Sequence, residues 1–176
     1  MVRVYVSLGS NMQREKHLRG GLRDLRAVFG RLDLSPVYES AAVGFEGEPF
    51  LNLVAAFETE QSIEEVDTEL SRIEEQHGRV RGEERFAPRT LDIDLLLFGD
   101  CVMRRPGLTV PRDEILEYAF VLKPLVDLAG EECHPVVGRS YAELWADFDD
   151  ASQSLQPVEV LRDQIGTERP PSTVST

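Results

Sequence analysis

Cysteine is nearly missing from this chain: Cys101 and Cys133 are the only two in 176 residues, and they form no CxxC pair. That sets aside a disulfide framework and a cysteine zinc site, and leaves buried or idle thiols. Histidine is as sparse. His17, His77 and His134 are scattered, with no HExxH and no His–Cys spacing, which argues against a zinc enzyme. Lysine occurs only at Lys16 and Lys123, and neither closes a G-x-x-x-x-G-K-[ST] loop, so a nucleotide would not be held by a P-loop. No apolar run approaches the roughly 20 residues of a membrane span. Met1-Val2-Arg3-Val4-Tyr5-Val6 leads into a strand-like pattern instead of a signal peptide, so a cytoplasmic protein with no membrane partner is expected.

Positive charge is also short. Nineteen Lys and Arg against 32 Asp and Glu give a net charge of −13, which opposes nucleic-acid or anionic-membrane binding. The deficit is uneven. Residues 58–75 carry one base and eight acids, and residues 113–150 carry two and ten; between them, residues 76–112 carry seven bases and five acids. All seven of those bases are arginine, whose planar fork matches phosphate oxygens in pairs. The length suits one domain, and 41% hydrophobic residues suffice for one core.

Val2 to Leu8 reads as a strand ended by Gly9-Ser10-Asn11. Leu18, Leu22, Leu25 and Phe29 share one helical face, with Gly30 as a stop. Leu32 to Tyr38 is a second strand, placed at an edge or bulge by Pro36, and Phe50 to Phe57 a third. Ser62 and Glu65 make a capping box before the stripe Ile63, Val66, Leu70, Ile73, which ends at His77-Gly78. Arg79 to Arg89 is an irregular loop, and Leu91 to Phe98 a fourth strand. The expected fold is α+β, a ferredoxin-like β-α-β-β-α-β core with both helices on one face of an antiparallel sheet. Short helices follow over 113–118, 120–128 and 141–148, completing a single domain of residues 1–150. The Ser/Gln/Pro-rich stretch 151–176 reads as a disordered tail.

Asp92 and Asp94 lie two apart in the otherwise apolar strand, so their carboxylates share one face. Side by side they repel and pay desolvation unless a positive partner joins them, whether arginine or metal. Hard divalent ions such as Mg²⁺ take oxygen ligands and share phosphates, and the pair can bracket a two-metal site. An ion-paired strand end is the plainer alternative. Arg79, Arg81, Arg85 and Arg89 feed directly into this strand, and arginines with Mg²⁺ neutralise a triphosphate and its transition state. No Ser or Cys stands beside a His and a third orienting group, so in-line transfer to a bound hydroxyl is the simpler chemistry.

The run Arg85-Phe86-Ala87-Pro88-Arg89-Thr90-Leu91-Asp92-Ile93-Asp94, continuing to Gly99, resembles the signature of the 6-hydroxymethyl-7,8-dihydropterin pyrophosphokinase family of folate synthesis. The resemblance extends through Ser7 to Asn11, Phe50 to Asn52, Arg72 to Arg81 and Leu108 to Pro111, covering residues 2 to about 148. It implies ATP as co-substrate, transfer of pyrophosphate to the pterin hydroxymethyl, and release of AMP. By position, Asp92 and Asp94 would hold two Mg²⁺, and Arg79 with Arg89 would assist transfer. Glu74, Arg81, Arg85, Leu108 and Thr109 would lie at the nucleotide. Phe50 and Phe120 would sandwich the pterin and Asn52 would read its polar edge, with Ser40, Val43 and Phe86 completing the substrate site. Small-molecule substrates and a monomer are expected.

The chain departs from the better-known form of the family at Phe86, Gly107, Arg112 and Tyr118, where tryptophan, arginine, histidine or arginine is common, respectively in the order Trp, Arg, His, Arg. A diverged paralog that binds a pterin-like ligand with little catalysis is the alternative. An RNA-binding sheet of the same fold is opposed by the charge and by the absence of a Lys/Arg-Gly-aromatic run.

Overall fold

The structure, a computed structural model, describes residues 1–41, 47–78 and 90–158. The expected order of elements is present. β1 (Val2–Ser10) alternates cleanly, sending Val4, Val6 and Leu8 into one core and Tyr5 into another. α1 (Arg14–Phe29) buries Leu18, Leu22 and Leu25. The second strand is split into β2 (Asp33–Leu34) and β3 (Tyr38–Ser40), because Pro36 has no N–H to give a ladder. Ser35 bridges the break: its N–H donates to the Val54 carbonyl at 2.9 Å, and its Oγ accepts the Val54 N–H at 2.8 Å.

β4 (Phe50–Thr59) is followed by α2 (Ile63–Gln76), whose Ser62–Glu65 capping box forms as the spacing predicts. β5 is Asp92–Phe98. A small hairpin of β6 (Met103–Arg105) and β7 (Leu108–Val110) comes next, turned by Gly107 at φ 79°. These strands are three residues each, too short for alternation to reveal. A 3-10 turn, Asp113–Leu116, stands where a helix to Tyr118 is expected, and α3 (Ala119–Ala129) and α4 (Tyr141–Ala146) complete the helices.

With a last strand, β8 (Leu155–Pro157), the main sheet runs β5-β1-β4-β3-β8, with β2 also on β4, and the pairings are antiparallel. Its first four strands have the ferredoxin-like order. α1 and α2 cover one face through Leu22, Val66, Leu70 and Ile73; α3 and α4 cover much of the other through Leu122, Leu125 and Tyr141. The closing strand, β8 (Leu155–Pro157), belongs to the stretch expected to be a disordered tail. Instead of leaving the domain at Ala151, the chain folds back and pairs with β3, while residues 159–176 lie outside the described residues.

A β-bulge sits in β5. Val6 pairs with Leu95 and Tyr5 with Leu97, so Leu96 is the extra residue. Ile93 and Leu95 therefore face the α1/α2 core, while Leu96 and Leu97 both face α3. The Leu95-Leu96-Leu97 run, which breaks simple alternation, is the sequence of that bulge.

Two of the scattered histidines also meet. His77, the C-cap of α2, places Nε2 2.9 Å from Asp24 Oδ2 and Nδ1 3.1 Å from His17 Nδ1, bolting α2 to α1. Its ring rests on Gly20, where an added Cβ would lie 2.4 Å from His77 Cε1. Alanine is the better helix former by about 1 kcal/mol, but overpacking costs about 1–3 kcal/mol. Gly20→Ala is therefore expected to lower the thermal midpoint by a few degrees. A raised midpoint would show that the His77 ring yields freely.

Candidate functional site

Asp92 and Asp94 both point to the α3 side of the sheet, as residues two apart must, with Cα atoms about 6–7 Å apart. Both are half-buried at the outer edge of the sheet. That edge is closed by two contacts from elsewhere in the chain. The Glu74 carboxylate, buried at the C-terminal turn of α2, accepts the N–H of Ile93 at 3.1 Å, between the two aspartates. The backbone N–H of Arg112 donates to the Leu96 carbonyl at 2.9 Å. Glu74 thus fixes the height and angle of the strand that carries the carboxylates.

Arg112 also brings its side chain to the pair. Nη2 lies 3.4 Å from Asp94 Oδ1, and Nε lies 3.0 Å from Glu114 Oε2. Burial works to lower the guanidinium's pKa, but Asp94, Glu114 and Asp92 together raise it, so it stays cationic. On α2, burial raises the Asp67 carboxyl while Arg112 opposes the shift. Among the described residues no group of three or more His, Cys, Asp or Glu forms a metal cage. Two hard carboxylates on an accessible edge fit a Mg²⁺ that draws its other ligands from phosphate and water.

Across the sheet the register places Asp92, Gly9, Asn52 and Tyr38 in one row on β5, β1, β4 and β3. With strands about 4.8 Å apart, Asp92 and Asn52 stand about 10 Å from each other over a residue with no side chain. A Cβ at Gly9 would come within 3.3 Å of Asn52 Oδ1 and 3.8 Å of the Phe50 ring. The glycine leaves a trough. Asn52 is 6% exposed, and its Nδ2 donates to Ser40 Oγ at 2.8 Å and toward the Tyr38 carbonyl at 3.4 Å. These bonds turn Oδ1 over Gly9, where it can accept from a heterocycle's N–H. Ser40, itself buried, orients this amide. Phe50 and Phe120 are both half-buried, and Phe120 is stacked on Tyr118 with centroids 5.0 Å apart and planes 16° from parallel.

The motif that ends β1 anchors what lies on either side. Ser10 Oγ donates to the Thr90 carbonyl at 2.5 Å, just before β5. Asn11 Nδ2 donates to the Glu48 carbonyl at 3.2 Å, and Arg14 donates to the Pro49 carbonyl at 3.1 Å and pairs with Glu39 at 2.9 Å. Leu108 packs on the α1/α2 core from β7, and Thr109 pairs with Arg104 across the hairpin. Arg79, Arg81, Arg85, Phe86 and Arg89, with Val43, lie outside the described residues. Residue types alone do not reveal Gly9 as a spacer, Arg112 as the cation at Asp94, or Tyr118 as the support of Phe120. For Gly9 the available signal was a glycine inside a strand, which marks close approach.

A family model described as 7,8-dihydro-6-hydroxymethylpterin-pyrophosphokinase (HPPK) matches residues 5–130. A 2-amino-4-hydroxy-6-hydroxymethyldihydropteridine pyrophosphokinase of Pseudomonas aeruginosa is 40% identical over 151 residues, covering 82% of this chain and 90% of that protein. The folic acid synthesis protein fol1 of Pneumocystis carinii is 34% identical over 158 residues, and the match spans 88% of this chain but only 21% of the fungal protein. Among solved structures, an HPPK-DHPS of Plasmodium falciparum superposes with a TM-score of 0.67 at 14% identity, covering 82% of this chain and 43% of that one. At that identity the likeness speaks for the fold.

Glu74→Ala would leave the Ile93 N–H buried without its acceptor, a loss of about 1–3 kcal/mol. Glu74→Gln keeps an acceptor oxygen and is expected to lose less. Denaturant unfolding of both variants checks this, and wild-type stability in Glu74→Ala would remove Glu74 as the support of β5.

Proposed function

The chain belongs to the 7,8-dihydro-6-hydroxymethylpterin-pyrophosphokinase family, and we propose that it transfers pyrophosphate from ATP to the hydroxymethyl oxygen of 6-hydroxymethyl-7,8-dihydropterin, releasing AMP, as a cytoplasmic monomer of folate synthesis. The observation that carries this reading is the row Asp92–Gly9–Asn52, which sets a carboxylate pair and a heterocycle-reading amide on either side of an open trough.

Asp92 and Asp94 would hold two Mg²⁺, which would supply neutralisation of the charge that builds on the phosphates during transfer. Glu74 holds those carboxylates at fixed height. Arg112 joins the nucleotide end of the site by virtue of its place at Asp94 and Glu114, with Leu108 and Thr109 from β7, and the family resemblance would add Arg79, Arg81, Arg85 and Arg89 to it. In the trough, Asn52 Oδ1 accepts from the pterin edge while Phe50 and Phe120 flank the ring. Ser40 positions Asn52, and Val43 and Phe86 complete the acceptor site. The hydroxymethyl oxygen attacks the β-phosphorus, the bond from that phosphorus to the α-phosphate's bridging oxygen breaks, and the hydroxyl proton is released. Catalysis is chiefly alignment and charge neutralisation, since no covalent intermediate is formed on the protein.

The test is product analysis with ATP, Mg²⁺ and the hydroxymethyl pterin. AMP is expected. ADP would refute pyrophosphoryl transfer, and pterin binding without AMP would mark a ligand-binding paralog. Asp92→Ala and Asp94→Ala should each lower kcat about 10²–10³-fold with an unchanged circular dichroism spectrum.

Gly9→Ala tests the trough separately. A methyl there enters the space against Asn52 Oδ1, so the KM for the pterin should rise about tenfold, the effect of a misfit of about 1.4 kcal/mol. Binding of a non-hydrolysable ATP analogue should stay within about twofold. The thermal midpoint should change little, because the gain from restricting the unfolded chain is offset by the 3.3 Å contact with Asn52 Oδ1.

A further inference from the structure

The segment after Asp150 lies beyond the family match at residues 5–130, yet it touches both sides of the acceptor site. β8 pairs with β3 in the register Leu155 to Ser40, Gln156 to Glu39 and Pro157 to Tyr38, and Val158 N–H donates to the Val37 carbonyl at 2.9 Å. Ser40, on that strand, is the hydroxyl that orients Asn52. Two residues before β8, Gln153 reaches the start of α3. Its Oε1 accepts the Ala119 N–H at 2.8 Å, and its Nε2 donates to the Glu117 carbonyl at 3.0 Å. One amide thus grips the backbone on both sides of Tyr118 and immediately before Phe120.

The first turn of α3 needs such a grip. Tyr118, its N-cap, makes no side-chain cap bond; Val121 N–H bonds to the Tyr118 carbonyl at 3.1 Å, and the Ala119 N–H takes its partner from outside the helix. Pro124 lies within the helix and has no N–H, which removes the intrahelical bond that would reach back to the Phe120 carbonyl. The turn that presents Phe120 is therefore held at its start by the Gln153 amide and lacks the usual bond to its Phe120 carbonyl. That start is capped from 34 residues away in the chain. Tyr38 Oη donates to Asp127 on the same helix, a second link between β3 and α3, but it acts more than a turn further along.

We infer that Gln153 and β8 form a strap that positions the two walls of the acceptor site, Phe120 on α3 and the Ser40–Asn52 pair on the sheet. This rests on the reading that those walls take the pterin. The strap touches no reacting atom and acts through the residues it holds. It belongs to the acceptor half of the site alone, since Asp92, Asp94 and Glu74 lie at the far side of the sheet.

The experiment uses the full chain carrying Gln153→Ala, with a chain ending at Asp150 as the second variant. Steady-state AMP formation, binding of a non-hydrolysable ATP analogue, thermal midpoint and amide exchange over residues 117–122 are measured for each. Gln153→Ala should raise the pterin KM about five- to twenty-fold, a loosened fit of about 1–2 kcal/mol, and leave the ATP-analogue affinity within about twofold. Exchange at 117–122 should speed up while that of α1 and α2 is unchanged. The shortened chain should show the same split, at least as large. An unchanged pterin KM, an equal loss for both substrates, or unchanged exchange at 117–122 would each overturn the strap. Absence of AMP from the wild-type protein would instead overturn the assigned reaction, with the exchange measurement still reporting on the grip of Gln153.

Discussion

Everything at this site depends on β1 being hydrogen-bonded to β5 on one side and β4 on the other. Strand spacing is one of the least adjustable distances in a protein, so a group on β5 and a group on β4 that face the same way are held two spacings apart. The chain puts its carboxylates on one and its amide on the other, with a glycine between. The separation of carboxylate pair and amide is then a property of the sheet and not of flexible side chains. The same strand continues into Ser10 and Asn11, which fasten the chain beside Thr90 and Glu48, so one short motif sets the trough and fixes the entrances to it.

The acidity of the chain and the anionic nucleotide proposed for it are reconciled locally. Much of the negative charge lies on α2 and in the C-terminal third, while Arg112 sits among Asp94, Glu114 and Asp67 at the sheet edge. A guanidinium in that place balances carboxylates that would otherwise repel, and its charge is held up by the acids it balances. The electrostatic character of the site therefore comes from a few fixed contacts and cannot be inferred from net charge.

What was legible in the sequence was local. The helices over α1 and α2 announced themselves by period, the Ser62–Glu65 cap by spacing, and the Asp92/Asp94 pair by its cost in an apolar strand. Pro36 signalled an edge or bulge, but the break it causes and the repair by Ser35 need knowledge of Val54, 19 residues away. β8 was hidden for a related reason. Leu155-Gln156-Pro157 has the composition of a tail, and its order comes from pairing with β3 and from Gln153 finding α3. Arg112 was visible only as an unusual residue after Val110-Pro111; its contact with Asp94 follows from the path of the hairpin over β5. Such contacts join distant parts of the chain and leave no periodic trace.

The bulge at Leu96 has a mechanical consequence. It divides β5 into two segments whose inside and outside are set independently. The half from Asp92 to Leu95 takes its orientation from Ile93 and Leu95, which are anchored beneath the helices, and the half beyond Leu96 takes its own from Leu97 and Phe98. Drift in the distal half, including the hairpin that follows, can be absorbed at the extra residue without rotating the aspartates. The strand acts as a coupling with play in the middle, so that a change beyond Leu96 leaves the pair of aspartates where it stands.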